Sequence, residues 1–340
     1  MAAGTIYWDG SSSTAWTTAA NWTLGTASAH TTPEAGDEVI FDGRSIANDA
    51  TTACAVGDTG GVDYDLLHIK KGHSGTIGAA GSPLHTSAQK IIIEGSGTYY
   101  IECSENATGA DQSIPLVIIN NPNCTVYLTS NENTGSWCCE FAEVIVIGGN
   151  VYIGNNGSSD TATAVQTLRV YPRYNTASNA TIDIAIDCER TKATAYKMSL
   201  YMLNGTLSTD SALNICEFYD GTLNYGTDLG DNPETGLDIT TFRMFNGTFN
   251  WRPDDSGDDA YIGSADIYGG IFDASSSTNS DRAKVLGDSG GDIRLFAGAT
   301  MKLNNGMGNI TIDGSTTFWN FGGTLKVDEN AKVDITYDTP

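Results

Sequence analysis

Short apolar runs, many of them alternating with polar residues, recur along the whole 340-residue chain. Examples are Lys90-Ile-Ile-Ile-Glu94, Leu116-Val-Ile-Ile119 and Asn309-Ile-Thr-Ile-Asp313. Alternation with a period of two in β-branched segments is typical of strands that bury one face. Residues with helical spacing are scarce, and Gly, Ser, Thr, Asn or Asp interrupts the chain every few positions. The pattern therefore predicts an all-β protein.

A turn followed by a short strand recurs with a similar sequence, as in Asn204-Gly-Thr-Leu207, Asp220-Gly-Thr-Leu223 and Asn246-Gly-Thr-Phe249. We call the second residue of this motif the anchor. Eleven anchors can be placed, at Gly75, Gly97, Cys124, Gly149, Ala180, Gly205, Gly221, Gly247, Gly270, Gly298 and Gly323. Their mean separation is about 25 residues, which indicates a repeat architecture.

The residue two positions after the anchor is apolar in ten of the eleven copies, and the exception is Thr300. We therefore predict that this position, which includes Leu223 and Phe249, points into the core. Asn-Gly or Asp-Gly at the corner supplies the positive φ that a tight turn needs. The 16-residue step from Gly205 to Gly221 is short for one coil, which predicts that one of these two anchors is misplaced.

Strands that repeat every 25 residues or so, rather than every eight to twelve as in hairpin sandwiches, favour coils stacked in parallel. We predict a single-stranded right-handed parallel β-helix, a solenoid of about 10 to 11 coils. The expected organisation is an N-terminal cap or attachment segment over residues 1–60, the β-helix over 61–330 and a C-terminal tail over 331–340. A cap is expected because a bare end coil is an exposed sheet edge.

The N-terminal segment carries a series of motifs: Tyr7-Trp8-Asp9, Trp16, Asn21-Trp22 and then Pro33-x-x-Gly-Asp-x-Val-x-Phe41. This series resembles the opening of right-handed β-helix proteins of the autotransporter-passenger and haemagglutinin-like type. The resemblance implies the same fold for this chain. The resemblance also makes polysaccharide lyases and glycoside hydrolases the catalytic alternatives, because enzymes of these classes share the fold.

Charge excludes some functions. The chain has 41 acidic and 17 basic side chains and a net charge of −24, while 40% of its residues are hydrophobic, so it is expected to fold. Nucleic acids and anionic membranes attract clustered Lys and Arg, and no such cluster occurs, so we expect neither as a partner. No apolar run reaches the roughly 18 residues of a membrane helix. The first residues lack the basic and apolar regions of a signal peptide, so none is expected.

The seven cysteines form no Cys-x-x-Cys pair, which argues against a zinc site. We interpret them as small buried residues of a chain that is assembled under reducing conditions. The histidines, His30, His68, His73 and His85, show no metal-ligand spacing. The stretch Gly287-Asp-Ser-Gly-Gly291 resembles the surroundings of a protease serine only by chance. Asn-Gly-Thr sequons such as Asn204 and Asn246 are explained by turns.

Acidic residues offer two candidate sites. Asp183 and Asp187, with Arg190 nearby, would share one face of an unbroken strand and could serve glycosidic hydrolysis, which needs two carboxylates. The cluster Asp254–Asp259 could hold Ca²⁺, with Asp228, Asp231 and Glu234 as weaker candidates. In both cases we favour solvent-facing or corner residues that keep the protein soluble. We therefore predict no catalytic, cofactor-binding or metal-binding residues and no cofactor.

The sequence favours a non-enzymatic structural or adhesive protein on the exterior of a bacteriophage virion, such as a capsid decoration, head fibre or tail fibre. Assembly in the cytoplasm and release by lysis would reconcile the absence of an export signal with unpaired cysteines. The expected partners are other virion proteins, further copies in a homotrimer and a host-surface glycan. The alternatives are a polysaccharide-binding or polysaccharide-degrading β-helix and a bacterial cell-surface adhesin.

Overall fold

The computed structural model describes most of the chain in separate stretches. These are residues 4–10, 12–13, 16, 18–26, 31–44, 64–80, 83–103, 113–128, 139–153, 163–171, 181–184, 198–209, 212–226, 238–252, 260–275, 284–287, 290–303, 310–312 and 315–327. Apart from a short 3₁₀ turn at Ala19–Asn21 and a 3₁₀ conformation at Gly290, the regular structure in these stretches is β-strand, and they contain no α-helix.

The chain divides into two compact units, the first lying mainly before residue 168 and the second comprising mainly residues 194–340. The strands of the first unit are β1 (Thr5–Trp8), β2 (Trp22–Thr26), β3 (Glu38–Phe41), β4 (Leu66–Ile69), β5 (Thr76–Ile77), β6 (Leu84–Thr86), β7 (Lys90–Ile93), β8 (Thr98–Cys103), β9 (Ser113–Leu128) and β10 (Cys139–Ile153). Both units contain parts of β11 (Thr163–Val170) and β12 (Thr181–Ile184).

The second unit contains fourteen further strands. They are β13 (Met198–Met202), β14 (Thr206–Thr209), β15 (Leu213–Phe218), β16 (Thr222–Tyr225), β17 (Asp238–Met244), β18 (Thr248–Trp251), β19 (Ala260–Ile267), β20 (Gly270–Asp273), β21 (Lys284–Leu286), β22 (Ile293–Phe296), β23 (Ala299–Leu303), β24 (Ile310–Ile312), β25 (Phe318–Phe321) and β26 (Thr324–Val327).

Parallel stacking of equivalent strands confirms the predicted solenoid. In the second unit, β14, β16, β18, β20, β23 and β26 pair in that order, and β15, β17, β19, β22 and β25 form a second parallel stack. In the first unit, β4, β7, β9 and β10 stack in the same way. The described residues define a parallel β-solenoid of about 7 turns. The expectation of 10 to 11 coils counted every anchor along the whole chain, including Ala180, which lies outside the described residues.

The short step between Gly205 and Gly221 is a true coil. Thr206 pairs directly with Thr222, and Leu207 with Leu223, so both anchors are correctly placed and the prediction of a misplaced anchor is wrong. β14 ends at Thr209 and β15 begins at Leu213, which leaves room for a short connection only. The coil is short because this connection is short.

Thr300 is an exception only because its anchor was assigned one residue too early. Ile271 pairs with Thr300 and Phe272 with Met301, so Ala299 and not Gly298 is the equivalent of Gly270. Met301 is fully buried, as the repeat requires, whereas Thr300 is only partly buried. Gly298 still has a positive φ of 96°, and so has Gly322 before the last coil. In these two coils the turn glycine lies one residue earlier than in the coil of Gly270.

The core is a set of inward rows that run from coil to coil. Leu223, Phe249 and Phe272 are fully buried, which confirms the predicted orientation of this position. Phe249 contacts Phe242 of its own coil at 4.5 Å between ring centroids and Phe272 of the next coil at 5.1 Å. Large inward side chains therefore fill the coils.

The N-terminal motifs form one aromatic cluster. Trp8, Trp16, Trp22 and Phe41 are buried with ring centroids 4.6 to 6.5 Å apart. β1 pairs antiparallel with β2 and parallel with β3, and β3 pairs parallel with β4. The Asn of the Asn-Trp motif, Asn21, accepts hydrogen bonds from two backbone amides of the preceding loop at 2.8 and 2.9 Å. The three tryptophans and Phe41 therefore have a packing role, and Asn21 has a hydrogen-bonding role.

Candidate functional site: an exposed aromatic ladder

Most of the acidic candidates cannot be placed. Asp187, Arg190, the cluster Asp254–Asp259, and Asp228, Asp231 and Glu234 lie outside the described residues, as does His30. The backbone of Asp183 belongs to β12, but its side chain is not among those described. Of the sequons, Asn204 lies in a corner where its Oδ1 accepts a hydrogen bond from the Gly205 amide at 2.7 Å.

The histidines reveal two acid–base pairs that sequence reasoning missed. His68 Nε2 lies 3.1 Å from Glu94 Oε2, and His85 Nε2 lies 3.1 Å from Glu102 Oε2. The Glu102 side chain is only 2% exposed. His73 is buried, with Nδ1 3.3 Å from the Tyr99 hydroxyl. The only signal in the sequence was the separation of the two partners along the chain, because they belong to different strands. His68 lies on β4 and Glu94 directly after β7, while His85 lies on β6 and Glu102 on β8.

The cysteines are not all free thiols. Cys103 is disulfide-bonded, so the interpretation of all seven cysteines as reduced residues is wrong for this one. Cys124 and Cys216 are free and buried, as predicted. Burial raises the pKa of Cys124 to about 11, and it raises that of Cys216 further. Neither thiol is therefore poised as a nucleophile, because the thiolate is the reactive form.

Five aromatic rings form a continuous row on the outside of the second unit. This aromatic ladder consists of Tyr219, Phe245, Tyr268, Phe296 and Phe321. Neighbouring ring centroids are 4.6 to 5.1 Å apart, and the ring planes deviate from parallel by 8° to 22°. Three of the rings are 38% exposed and Phe321 is 51% exposed. The spacing is close to the separation of neighbouring strands, so each coil contributes one ring.

The local sequence explains why these rings point outward. The first four rings each follow a buried residue, such as Phe218 before Tyr219 and Met244 before Phe245, whereas Phe321 follows the exposed Asn320. Side chains alternate along a strand, so the next residue faces solvent. The backbone amide of Phe245 donates to the Phe218 carbonyl at 2.8 Å, which fixes its position over the coil before it. Stacked aromatic pairs contribute about 0.5 to 1.5 kcal/mol beyond burial, so the ladder also stabilises the stack.

A row of alternating charges runs beside the aromatic ladder, two residues earlier in each coil. This charge ladder consists of Glu217, Arg243, Asp266 and Arg294, which are aligned by strand pairing. Arg243 Nη1 donates to Glu217 at 2.8 Å, and Arg294 Nη1 donates to Asp266 at 3.1 Å. The hydrogen bond to Glu217 raises the pKa of Arg243, and that to Asp266 raises the pKa of Arg294.

A third outward row of the second unit lies three residues after the anchor and is polar. Asn250 Nδ2 donates to Asn224 Oδ1 at 2.8 Å, and Asn224 Nδ2 donates to Ser208 Oγ at 3.3 Å. Farther along, Lys302 Nζ donates to Asp273 Oδ2 at 3.1 Å. Outward side chains are therefore matched with their equivalents one coil away.

The part of the chain that the structure describes shows neither a metal site nor a membrane-spanning helix. No group of three or more His, Cys, Asp or Glu side chains there has the geometry of a metal site. No helix within the described ranges is long and apolar enough to cross a membrane. The aromatic ladder is thus the feature with the clearest capacity to bind something, because contiguous exposed apolar surface usually marks an interaction site.

The aromatic ladder could have been found in the sequence. Its five members each lie two residues before an anchor as assigned from the sequence, at Gly221, Gly247, Gly270, Gly298 and Gly323. The repeat was recognised from the inward residue two positions after each anchor, so the outward residue two positions before it was missed. In comparisons with known proteins, no family model, curated protein or solved structure matched this chain.

Proposed function

We propose that this protein is a non-enzymatic structural and adhesive solenoid on the exterior of a virus particle, as a capsid decoration, head fibre or tail fibre. The supporting observation is that outward polar and charged side chains pair with one another along the stack. Examples among the described residues of the second unit are Glu217 with Arg243, Asp266 with Arg294, and Asp273 with Lys302. Such pairing stabilises a stack of coils.

A glycoside hydrolase needs a different arrangement. Two carboxylates must flank the substrate, one of them with a raised pKa, and both must be free to react. Each carboxylate of the charge ladder is engaged by an arginine, and Glu94 and Glu102 each face a histidine. These described carboxylates are therefore better suited to holding coils together than to acid–base chemistry on a sugar.

The adhesive part of the proposal is supported by the aromatic ladder. Its rings stack on one another, so neighbouring rings cover both faces of the three inner rings and one face of each end ring, and the ring edges point to solvent. A sugar that binds to an aromatic side chain lies on the ring face. Covered faces and exposed edges therefore favour a protein partner, such as another virion component, over a glycan.

The disulfide bond of Cys103 supports an extracellular location for the protein. Disulfides persist in oxidising surroundings and are rare in reducing cytoplasm. A virion protein is made in the cytoplasm and released by lysis, so that oxidation can follow assembly. Free, buried Cys124 and Cys216 are compatible with the same history.

The test is quantitative mass spectrometry of purified particles, combined with immunogold labelling. We expect the chain in fixed stoichiometry with the major capsid or tail proteins, and label on the particle surface. Absence from particles would contradict the proposal. For the alternatives, new reducing ends or unsaturated products from a polysaccharide panel would establish an enzyme, and recovery of the chain with intact bacterial cells would establish an adhesin.

A further inference from the structure

The aromatic ladder and the charge ladder lie on one face of the second unit. In each coil a buried residue separates their members, as Phe218 separates Glu217 from Tyr219. Two outward residues of a strand lie roughly 7 Å apart, so the two ladders run side by side. The arginine heads remain accessible, because the side chains of Arg243 and Arg294 are 44% and 41% exposed. The face thus combines apolar ring edges with charges that a second molecule can reach.

The order of the charges is self-complementary when it is reversed. Along the stack the signs are negative at Glu217, positive at Arg243, negative at Asp266 and positive at Arg294. Read backwards, the same row begins with a positive charge and ends with a negative one. A reversed copy placed on this face would set Arg294 opposite Glu217 and Asp266 opposite Arg243, so every charge meets its opposite.

The symmetry of a dimer decides between two orientations. In an antiparallel dimer the two-fold axis lies across the strand stack, so aromatic ladder faces aromatic ladder and charge ladder faces charge ladder. A parallel two-fold dimer exchanges left and right on the face, so the two ladders cannot both meet themselves. If the charge ladders did meet in that orientation, Glu217 would face Glu217 and Arg243 would face Arg243. Like charges set opposite each other oppose association.

We propose that the aromatic and charge ladders form the interface of an antiparallel homodimer, in which each face binds the same face of a second copy. The ring edges provide the apolar centre and the charges set direction and register. The face consists of only five rings and four charged side chains, so association is expected in the micromolar range typical of small interfaces. This dimer would form from the isolated protein and does not depend on a virus particle.

The experiment measures self-association of the full chain by sedimentation velocity and equilibrium. Physiological salt is needed because a net charge of −24 on each copy repels at low ionic strength. At roughly 100 µM we expect wild-type protein to be mainly dimeric, as a micromolar dissociation constant requires. A monomer at this concentration overturns the proposal, and so does a trimer.

Charge reversal tests the antiparallel register. Arg243→Glu places like charges opposite Asp266 of the second copy at two symmetric positions, so we expect Kd to rise at least about tenfold. Asp266→Arg should have the same effect. The double variant R243E/D266R restores opposite charges in the antiparallel dimer, and its Kd should return to within about threefold of wild type. Equal weakening in the singles and the double, or no weakening in any of them, refutes this interface.

Lys326→Glu is the matched control, because it makes the same change of charge on an exposed side chain outside both ladders. Its Kd should equal that of wild type. If it weakens association as much as Arg243→Glu, the effect is one of total charge and the proposed register is wrong. Circular dichroism and thermal melting of each variant distinguish loss of association from loss of folding, and recovery in the double variant distinguishes them again.

Discussion

The two units use the same coil position for different chemistry. Three residues after the anchor, the first unit has Tyr100, Tyr127 and Tyr152, whose rings stack at 4.5 and 4.8 Å. At this position in the second unit Asn224 and Asn250 form a hydrogen bond. Aromatic rings occur in the second unit as well, but there they lie two residues before the anchor. The first unit has no aromatic row at that earlier position in its sequence.

The difference shows which rows the fold controls. The inward row is apolar in both units, with Val126 and Val151 in the first and Leu223 and Phe249 in the second. A closed coil has no alternative for this position, because a buried polar side chain needs a partner inside the coil. Outward rows need only match from one coil to the next, by stacking or hydrogen bonding. Function is therefore expected to reside in the outward rows.

The largest effect should come from breaking an inward row. Phe249→Asp places a carboxylate where the native side chain is fully buried against Phe242 and Phe272. We expect a loss of about 4 kcal/mol or more in the free energy of unfolding, the range reached when an unpaired charge is buried. The measurement is chemical denaturation followed by circular dichroism.

Phe245→Asp is the matched control for this change, because the same substitution falls on an exposed ring of the aromatic ladder four residues earlier. Its cost should stay near the stacking energy, about 1 to 2 kcal/mol. Equal losses in the two variants would contradict the assignment of inward and outward rows.

The second effect concerns a charge inside the second unit. The Lys284 side chain is 2% exposed and its Nζ donates to the carbonyls of Ala274 and Trp251 at 2.8 and 3.2 Å. Burial, and to a smaller extent the charge of Arg252, lower the pKa of Lys284 to about 8 against the opposing effect of Asp273. Between pH 8 and the unfolded value of 10.5, the unfolded chain therefore binds more protons than the folded one.

The contribution of Lys284 to the free energy of unfolding rises with pH in that window, because the unfolded state binds more protons there than the folded state does. The cost of burying the charged lysine is fully present below pH 8 and disappears as the pH approaches 10.5. A shift of this size corresponds to roughly 3 kcal/mol. Lys284→Met should remove this pH dependence, which denaturation curves of both proteins at pH 7, 9 and 10.5 would measure. A constant difference between them across these values would contradict the assignment.

Inward and outward rows also differ in how well the sequence predicts them. The period of the anchors was sufficient to predict parallel coils, because apolar residues at a fixed position report burial directly. Register was harder, as Thr300 shows: a turn glycine that shifts by one residue displaces the whole alignment. The partners of outward residues were hardest, because Arg243 and Glu217 are 26 residues apart and only the exact coil length brings them together.

The smallest expected effect compares the outward rows of the two units. Tyr127→Ser removes a ring that stacks on Tyr100 and on Tyr152 and should cost about 1 to 2 kcal/mol. Tyr127→Phe keeps both stacks and should be close to neutral. Asn250→Ala in the second unit removes the hydrogen bond to Asn224 and should cost about 1 kcal/mol or less, since that bond is partly exposed. Chemical denaturation of all three variants gives the order. If Asn250→Ala costs more than Tyr127→Ser, polar pairing outweighs stacking, and the aromatic rows are then kept for binding more than for stability.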